Sequence, residues 1–342
     1  MATAGPEHVD RLLATLRSKL AEESAAGRFS GVVLVARDEE LLFAEAHGMA
    51  DRQRMVSNTL STRFRLGSIN KVFTAVAVCR LAEDGTVDLD APLARYLPDF
   101  PNQQLATAAT VHHLLTHTAG TGDIFVPEYE ARRGEIRTVA DYVRLLGHRP
   151  AEFEPGSRFR YSNFGYVVLG AVIENVTGQS YYDYLDRHVY PAAEMRRAGS
   201  LPEAAAVPDL AVGYTDEVPG SEVNTGVLPY RGSPAGGGYA SAEDLWRFAT
   251  ALTGRRLLDA RHTELLTTGQ AEAGWAGRCV AYGFFVRTVH GVRSISATGG
   301  FPGMSAALVV HPDLGYVTVV LANQDPDVAV EVAMFVDDRL EI

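Results

Sequence analysis

The sequence predicts an α/β (α+β) fold: one antiparallel sheet built from both termini and flanked by helices, with a mostly helical domain inserted between the two halves of the sheet. Three observations predict it. Segments of strand character lie near both ends of the chain, the long middle carries helical periodicity, and a Gly/Pro-rich run marks the return to the sheet.

In chain order, Pro6 to Gly27 spaces Val9, Leu12, Leu13, Leu16 and Leu20 along one helical face with charges between them, as a packed helix requires. Gly31–Arg37 and Leu41–Ala46, separated by Asp38-Glu-Glu40, read as a hairpin. Helical patterns follow at Ile69–Asp84, Thr110–Leu115, Val139–Leu146 and Tyr166–Thr177, the last ended by Gly178. Ser180 is placed to cap a further helix reaching His188. Gly232-Ser-Pro-Ala-Gly-Gly-Gly238 is the return crossing. Four strands are then expected, at Ala281–His290, Val292–Ala297, Met304–His311 and Tyr316–Ala322, with a turn at Pro312-Asp-Leu-Gly315 and a closing helix from Asp325 to Leu340. The expected division is a sheet domain of residues 1–65 and 235–342, a helical domain of residues 66–234, and an active site in the cleft between them.

Composition narrows the function. The 342 residues are 46% hydrophobic and 21% charged, a balance that supports a substantial core. A formal charge of −11 makes nucleic acid an unsuitable partner. No apolar stretch reaches the roughly 18 residues needed to span a bilayer, and the N-terminal segment lacks the continuous apolar run of a signal peptide, so a cytoplasmic location is expected. Cys79 lies in an apolar helical run and Cys279 near the start of a strand; two buried free thiols are favoured over a bridge.

Of the 31 basic residues, only Lys19 and Lys71 are lysines. Where arginine is otherwise used throughout, a retained lysine marks a position that benefits from a side chain able to give up its proton. Lys71 ends Ser68-Ile-Asn-Lys71, which puts the amine one helical turn beyond the serine and within reach of its hydroxyl. A neutral lysine there can accept the serine proton, and the helix N-terminus favours developing negative charge. Taken alone, Ser68 fits a helix N-cap equally well. A second element, Tyr161-Ser-Asn163, combines a phenol able to carry a proton with an amide able to hold both a lysine and a carbonyl. A third, Ala297-Thr-Gly-Gly300, offers a glycine edge where a substrate can approach the backbone and a free amide can join that of Ser68 in an oxyanion hole. Separately, a packed tyrosine turn and a strand-end turn account for these two.

Their order and spacing resemble the class C β-lactamase-like (penicillin-binding-protein-like) serine hydrolases, a family that includes D-Ala-D-Ala carboxypeptidases, esterases, D-aminopeptidases and natural-product transacylases. The resemblance covers nearly the whole chain. It extends to Leu114-Leu-Thr-His-Thr-Ala-Gly120, Phe153-Glu-Pro-Gly156, Tyr161-Ser-Asn-Phe-Gly-Tyr166 leading to Thr177-Gly178, Gly236-Gly-Gly238 before Ser241-Ala-Glu-Asp244, and Gly299-Gly-Phe-Pro-Gly303. It implies a β-lactamase/transpeptidase-like fold, with Ser68 as nucleophile, Lys71 and Tyr161 as the base system, Asn163 as an orienting amide, and the amides of Ser68 and Gly300 as the oxyanion hole. Ala297, Thr298, Gly299 and Gly300 form the implied substrate-binding edge.

The chain departs from the family pattern at Ala297, where Lys or His is usual. Alanine can neither polarise the tyrosine nor hold a carboxylate, so efficient β-lactamase or carboxypeptidase activity is not expected, whereas Thr298 can still help position an uncharged ester or amide. The expected activity is that of a serine hydrolase or acyltransferase acting through a Ser68 acyl-enzyme on a small ester or amide, with an amine or alcohol as a possible acceptor. An intracellular natural-product transacylase or transamidase, and a non-catalytic binding protein that kept the fold, are the alternatives. Thr121 to Tyr129, Tyr230, Tyr239, Trp275 and Phe301 are expected as pocket walls. His113 and His117 are assigned structural roles, His290 is not favoured as a stand-in for the missing cation, and neither a metal nor another cofactor is called for.

Overall fold

A computed structural model describes residues 6–217, 222–275, 277–289 and 291–340. Helix α1 (Pro6–Ala25) leads into strands β1 (Gly31–Arg37) and β2 (Glu40–His47), the short pair β3 (Met49–Asp51) and β4 (Val56–Ser57), and β5 (Phe64–Arg65). A helical stretch follows, with α2 (Asn70–Glu83), α3 (Gln103–Ala108), α4 (Val111–Leu115), α5 (Pro127–Arg132), α6 (Val139–Leu146), α7 (Asn163–Thr177) and α8 (Tyr181–His188). Strand β6 (Tyr239–Ala240) pairs with β5, so the chain returns beside the point where it left. Then come α9 (Ala242–Thr253), α10 (Ala260–Thr267), β7 (Ala271–Glu272), β8 (Arg278–Val280), β9 (Phe285–Val289), β10 (Val292–Phe301), β11 (Met304–His311), β12 (Tyr316–Ala322) and α11 (Val328–Asp337).

The main sheet has the order β2-β1-β12-β11-β10-β9-β8-β7 and is antiparallel throughout. Its closure from both ends of the chain rests on β1 against β12, in register from Gly31 opposite Ala322 to Arg37 opposite Tyr316. Alternation along these strands feeds two cores. Val33 and Val35 of β1 join Val320 of β12 under α1 and α11, where Val9, Leu12, Leu16 and Leu20 are buried as their spacing predicts. Val32, Leu34, Ala36, Val319 and Leu321 face the other way, into the larger core shared with α2, α7 and α9. Helix α2 is buried on all sides from Asn70 to Cys79, as its near-continuous apolar sequence requires.

Several boundaries differ from the sequence expectation. Strand β9 begins at Phe285, because Ala281–Phe284 forms a turn around Gly283 (φ +82°) that sends the Tyr282 hydroxyl to His112 Nδ1 at 2.7 Å. Val292–Ala297 continues as strand to Phe301, where Pro302-Gly303 makes a two-residue hairpin and Phe301 pairs with Met304. Helix α7 starts at Asn163 because the Ser162 hydroxyl caps the Gly165 amide. Cys79 and Cys279 are free thiols, but only Cys79 is buried as expected and Cys279 is half-buried; His290 lies outside the described residues. Among the described residues, no helix is long and apolar enough to cross a membrane.

Candidate active site

Ser68 sits in a 3₁₀ turn, Gly67–Ile69, that runs directly into α2. Neither the turn nor the helix takes a side-chain cap, so the serine hydroxyl is not spent on capping. The turn is pressed against β10. Gly67 has φ +52°, and a Cβ there would lie 3.0 Å from the Gly299 and Gly300 backbone. A Cβ on Gly299 would lie 1.9 Å from the Leu66 carbonyl oxygen and 2.9 Å from the Ser68 amide nitrogen. Glycine at both positions is therefore a condition for bringing the Ser68 turn and the strand edge together. Strand β9 pairs with β10 only from Val292 to Ser296, which leaves the 297–301 stretch of β10 without β9 beside it.

Lys71, 2% exposed, rises from the first turn of α2. Its Nζ is 3.1 Å from Ser68 Oγ and 2.7 Å from Asn163 Oδ1, and it also donates to the Ala235 carbonyl. Burial pulls the amine down to about 7, while the Asp123 carboxylate acts in the opposite direction. In the neutral form, two N–H bonds satisfy the two carbonyl oxygens and the remaining lone pair faces the Ser68 hydroxyl. Such an amine can take the serine proton.

Asn163, first residue of α7, is held at both ends of its amide. While Oδ1 accepts from Lys71, Nδ2 donates to Asp123 Oδ1 and Oδ2 at 2.9 and 3.2 Å. Asp123 also accepts from the Ile124 amide at 2.6 Å. A chain of contacts thus runs from Asp123 through Asn163 and Lys71 to Ser68.

Tyr161 borders the same cavity as Ser68, and its ring centre is 4.7 Å from Lys71 Nζ. Burial pushes its phenol well above the ordinary value, so it holds its proton at neutral pH. The ring stacks on His117, with centroids 4.5 Å apart. His117 has φ +58°, accepts the Ser162 amide at Nδ1 at 3.1 Å, and is held neutral near 3 by burial and then by Lys71. It serves as an uncharged plate behind Tyr161. His113 completes a capping box with Thr110 at the start of α4. Among the described residues, no group of three or more His, Cys, Asp or Glu is arranged to hold a metal ion.

The glycine-rich return crossing wraps the back of the site. Gly237 N donates to the Gly67 carbonyl at 3.1 Å, Asn70 Nδ2 to the Ser233 carbonyl at 2.8 Å, and Thr74 Oγ1 to the Pro234 carbonyl at 2.8 Å. A cavity of about 260 Å³ opens beside Ser68, bordered by Tyr161, Asn163 and Gly300. Of the expected walls, Ile124, Phe125, Tyr129 and Phe301 line it, whereas Tyr230, Tyr239 and Trp275 do not. Tyr230 lies against Arg137, Tyr239 against Arg63, and Trp275 against Phe159 and Phe285. Within the third motif only Gly300 reaches the cavity; Ala297 is 3% exposed in the larger core, Gly299 backs the Ser68 turn, and Thr298 is exposed outside the lining. Sequence reasoning did not single out Asp123 or the Ala235 carbonyl. Asp123 carries no periodic signal, and a backbone carbonyl carries no side-chain signal at all.

The Beta-lactamase family model matches residues 15–340. The chain is 32% identical over 267 residues to the putative penicillin-binding protein PbpX of Bacillus subtilis (strain 168), covering 77% of this chain and 65% of that one. It is 37% identical over 216 residues to esterase EstB of Burkholderia gladioli, covering 58% of this chain and 54% of EstB. The chain thus spans less than two thirds of the length of both relatives. The crystal structure of a penicillin binding protein from Bacillus halodurans superimposes with a TM-score of 0.85 at 31% identity, covering 93% of this chain and 99% of that one.

Proposed function

This chain belongs to the Beta-lactamase family, and from that premise we propose that it is a serine hydrolase or acyltransferase working through an ester formed at Ser68 on an ester or amide substrate. The observation that carries the reading is the buried Lys71 amine, 3.1 Å from Ser68 Oγ and bonded to Asn163 Oδ1 and the Ala235 carbonyl. Ser68 Oγ attacks the substrate carbonyl as its proton passes to neutral Lys71. The amides of Ser68 and Gly300 take the charge that develops on the carbonyl oxygen. Tyr161 gives its proton to the departing alcohol or amine and is replenished from the Lys71 ammonium, so the bond to the leaving group breaks with the proton count balanced. Water, or an amine or alcohol acceptor, then attacks the Ser68 ester by the reverse route and frees the serine.

In this reading the cleft joins the inserted part, residues 66–234, which supplies Ser68, Lys71, Tyr161 and Asn163, to the sheet part, residues 1–65 and 235–342, which supplies Gly300. Ala297, with its methyl in the core, brings no cation to that strand, which favours an uncharged substrate. Asp123 is a positioning residue: it fixes the Asn163 amide so that Oδ1 faces Lys71, and its charge supports the Lys71 ammonium.

The test is the pH dependence of acylation. Only neutral Lys71 accepts a proton, so kcat/KM for an ester should rise about tenfold per pH unit on the acid side and level off above about 7. Asp123→Asn keeps an acceptor for Asn163 and removes the charge, so the acid limb should move to lower pH. A purely structural role for Asp123 would lower the plateau and leave the limb in place. A profile without an acid limb between pH 5 and 9 would remove Lys71 as the base.

A further inference from the structure

We infer that the cavity beside Ser68, about 260 Å³, is an acyl pocket for an uncharged, apolar chain of about five to eight carbon atoms: at roughly 30 Å³ per water-sized group it holds about nine such groups, and the leaving group takes the remainder beside Tyr161, which lines the same cavity. The inference rests on the Ser68 acyl-enzyme proposed above and names the acyl group it carries. Both proposed oxyanion donors, Ser68 and Gly300, border the cavity, and Phe301 and Met304 continue its wall directly from Gly300. A leaving group has to meet Tyr161, its proton donor, so the part of the substrate that stays on Ser68 is directed along the Gly300 side.

The apolar part of the lining is Ile124, Phe125, Val227, Leu228, Phe301 and Met304, of which Phe301 and Met304 follow Gly300 directly in the β10–β11 hairpin. Phe125 and Phe301 stack across the mouth with centroids 6.0 Å apart and planes 23° apart, joining the segment before α5 to the tip of the β10–β11 hairpin. Phe125 is 50% exposed, an aromatic ring left partly in water at a cavity edge. The four charged residues of the lining are two arginines and two glutamates, so it carries no net charge. Arg65 is paired with Glu203 and donates to the Ala211 carbonyl, and Arg133 donates to the Gly226 and Val227 carbonyls, with Glu130 the remaining carboxylate. A carboxylated acyl chain would have to compete with bonds already made.

The chain-length test separates binding from chemistry. Ser68→Ala protein is titrated by calorimetry with alkanoyl anilides from acetyl to decanoyl, and with an analogue of six-carbon length ending in a carboxylate. Affinity should rise by about fourfold per buried methylene, peak between the five- and eight-carbon chains, and fall at least tenfold for the carboxylated analogue. In wild-type protein, 4-nitrophenyl esters of the same chain lengths should follow the same order in kcat/KM. Leu228→Trp, on the half-buried 227–229 wall, should move the optimum to shorter chains, and Phe125→Ala should lower the hexanoyl-to-acetyl ratio about fivefold or more. Affinity that is flat from two to eight carbons, or equal for the carboxylated analogue, overturns the pocket. Chain-length-dependent binding with no turnover and no Ser68 adduct in the wild type supports the pocket and sinks the acyl-enzyme reading instead.

Discussion

Replacing Lys71 with arginine is expected to slow acylation of Ser68 by about 10³- to 10⁴-fold, the upper range for loss of a positioned base. Arginine keeps a positive charge and donors for Asn163 Oδ1 and the Ala235 carbonyl, but its guanidinium does not lose a proton in a protein. Lys71→Ala removes the base outright and leaves those two oxygens without their donor. The two variants should therefore fall to similar rates, measured as the presteady-state burst with a 4-nitrophenyl ester, while circular dichroism reports whether each is folded. An Lys71→Arg protein within about tenfold of wild type would show that the lysine acts only as a charge, because ten times is less than the smallest effect typical of a general base.

Gly299→Ala is the second change with a large expected effect. The added Cβ would meet the Leu66 carbonyl oxygen at 1.9 Å and the Ser68 amide nitrogen at 2.9 Å, and these are backbone atoms that cannot rotate away. The Ser68 turn and β10 must separate, which pulls the Ser68 and Gly300 amides out of register with each other. Loss of one oxyanion donor costs about 10²- to 10³-fold in kcat, and overpacking of this kind costs about 1–3 kcal/mol or more of stability. Thermal unfolding and ester turnover on the same preparation measure both. Wild-type kcat in a Gly299→Ala protein would show that the two amides do not act together.

The main sheet was legible because its signal is local and repeated. Val32 to Ala36 and Val317 to Ala322 alternate between two buried faces, and nearly continuous apolar strands are what a sheet covered on both sides demands. The Ser68, Lys71, Tyr161 and Asn163 set was legible for a different reason. Side-chain chemistry at fixed spacing, combined with the family resemblance, singled out four residues that the structure gathers around the Lys71 amine, which bonds Ser68 and Asn163 and lies 4.7 Å from the centre of the Tyr161 ring.

What was missed depends on long-range packing. Asp123 meets Asn163 forty residues later in the chain, through a loop whose path no periodicity encodes. Ala235 contributes a carbonyl, which any residue could supply, and its place in a glycine-rich run suggested only a crossing. Trp275 is among the aromatics expected as pocket walls, yet Phe159 and Phe285 claim its ring. The third motif looked like a strand end because paired glycines usually are, but a backbone turn lies so close that glycine is needed within the strand itself.

The most direct test of the account is covalent labelling of the wild-type protein with a serine-directed alkyl phosphonate, followed by intact mass and peptide mapping. One phosphonyl group per chain is expected, on the peptide containing Ser68, with labelling lost in Ser68→Ala and nearly lost in Lys71→Arg. A label on any other residue, or an unlabelled folded protein after prolonged exposure, would contradict it.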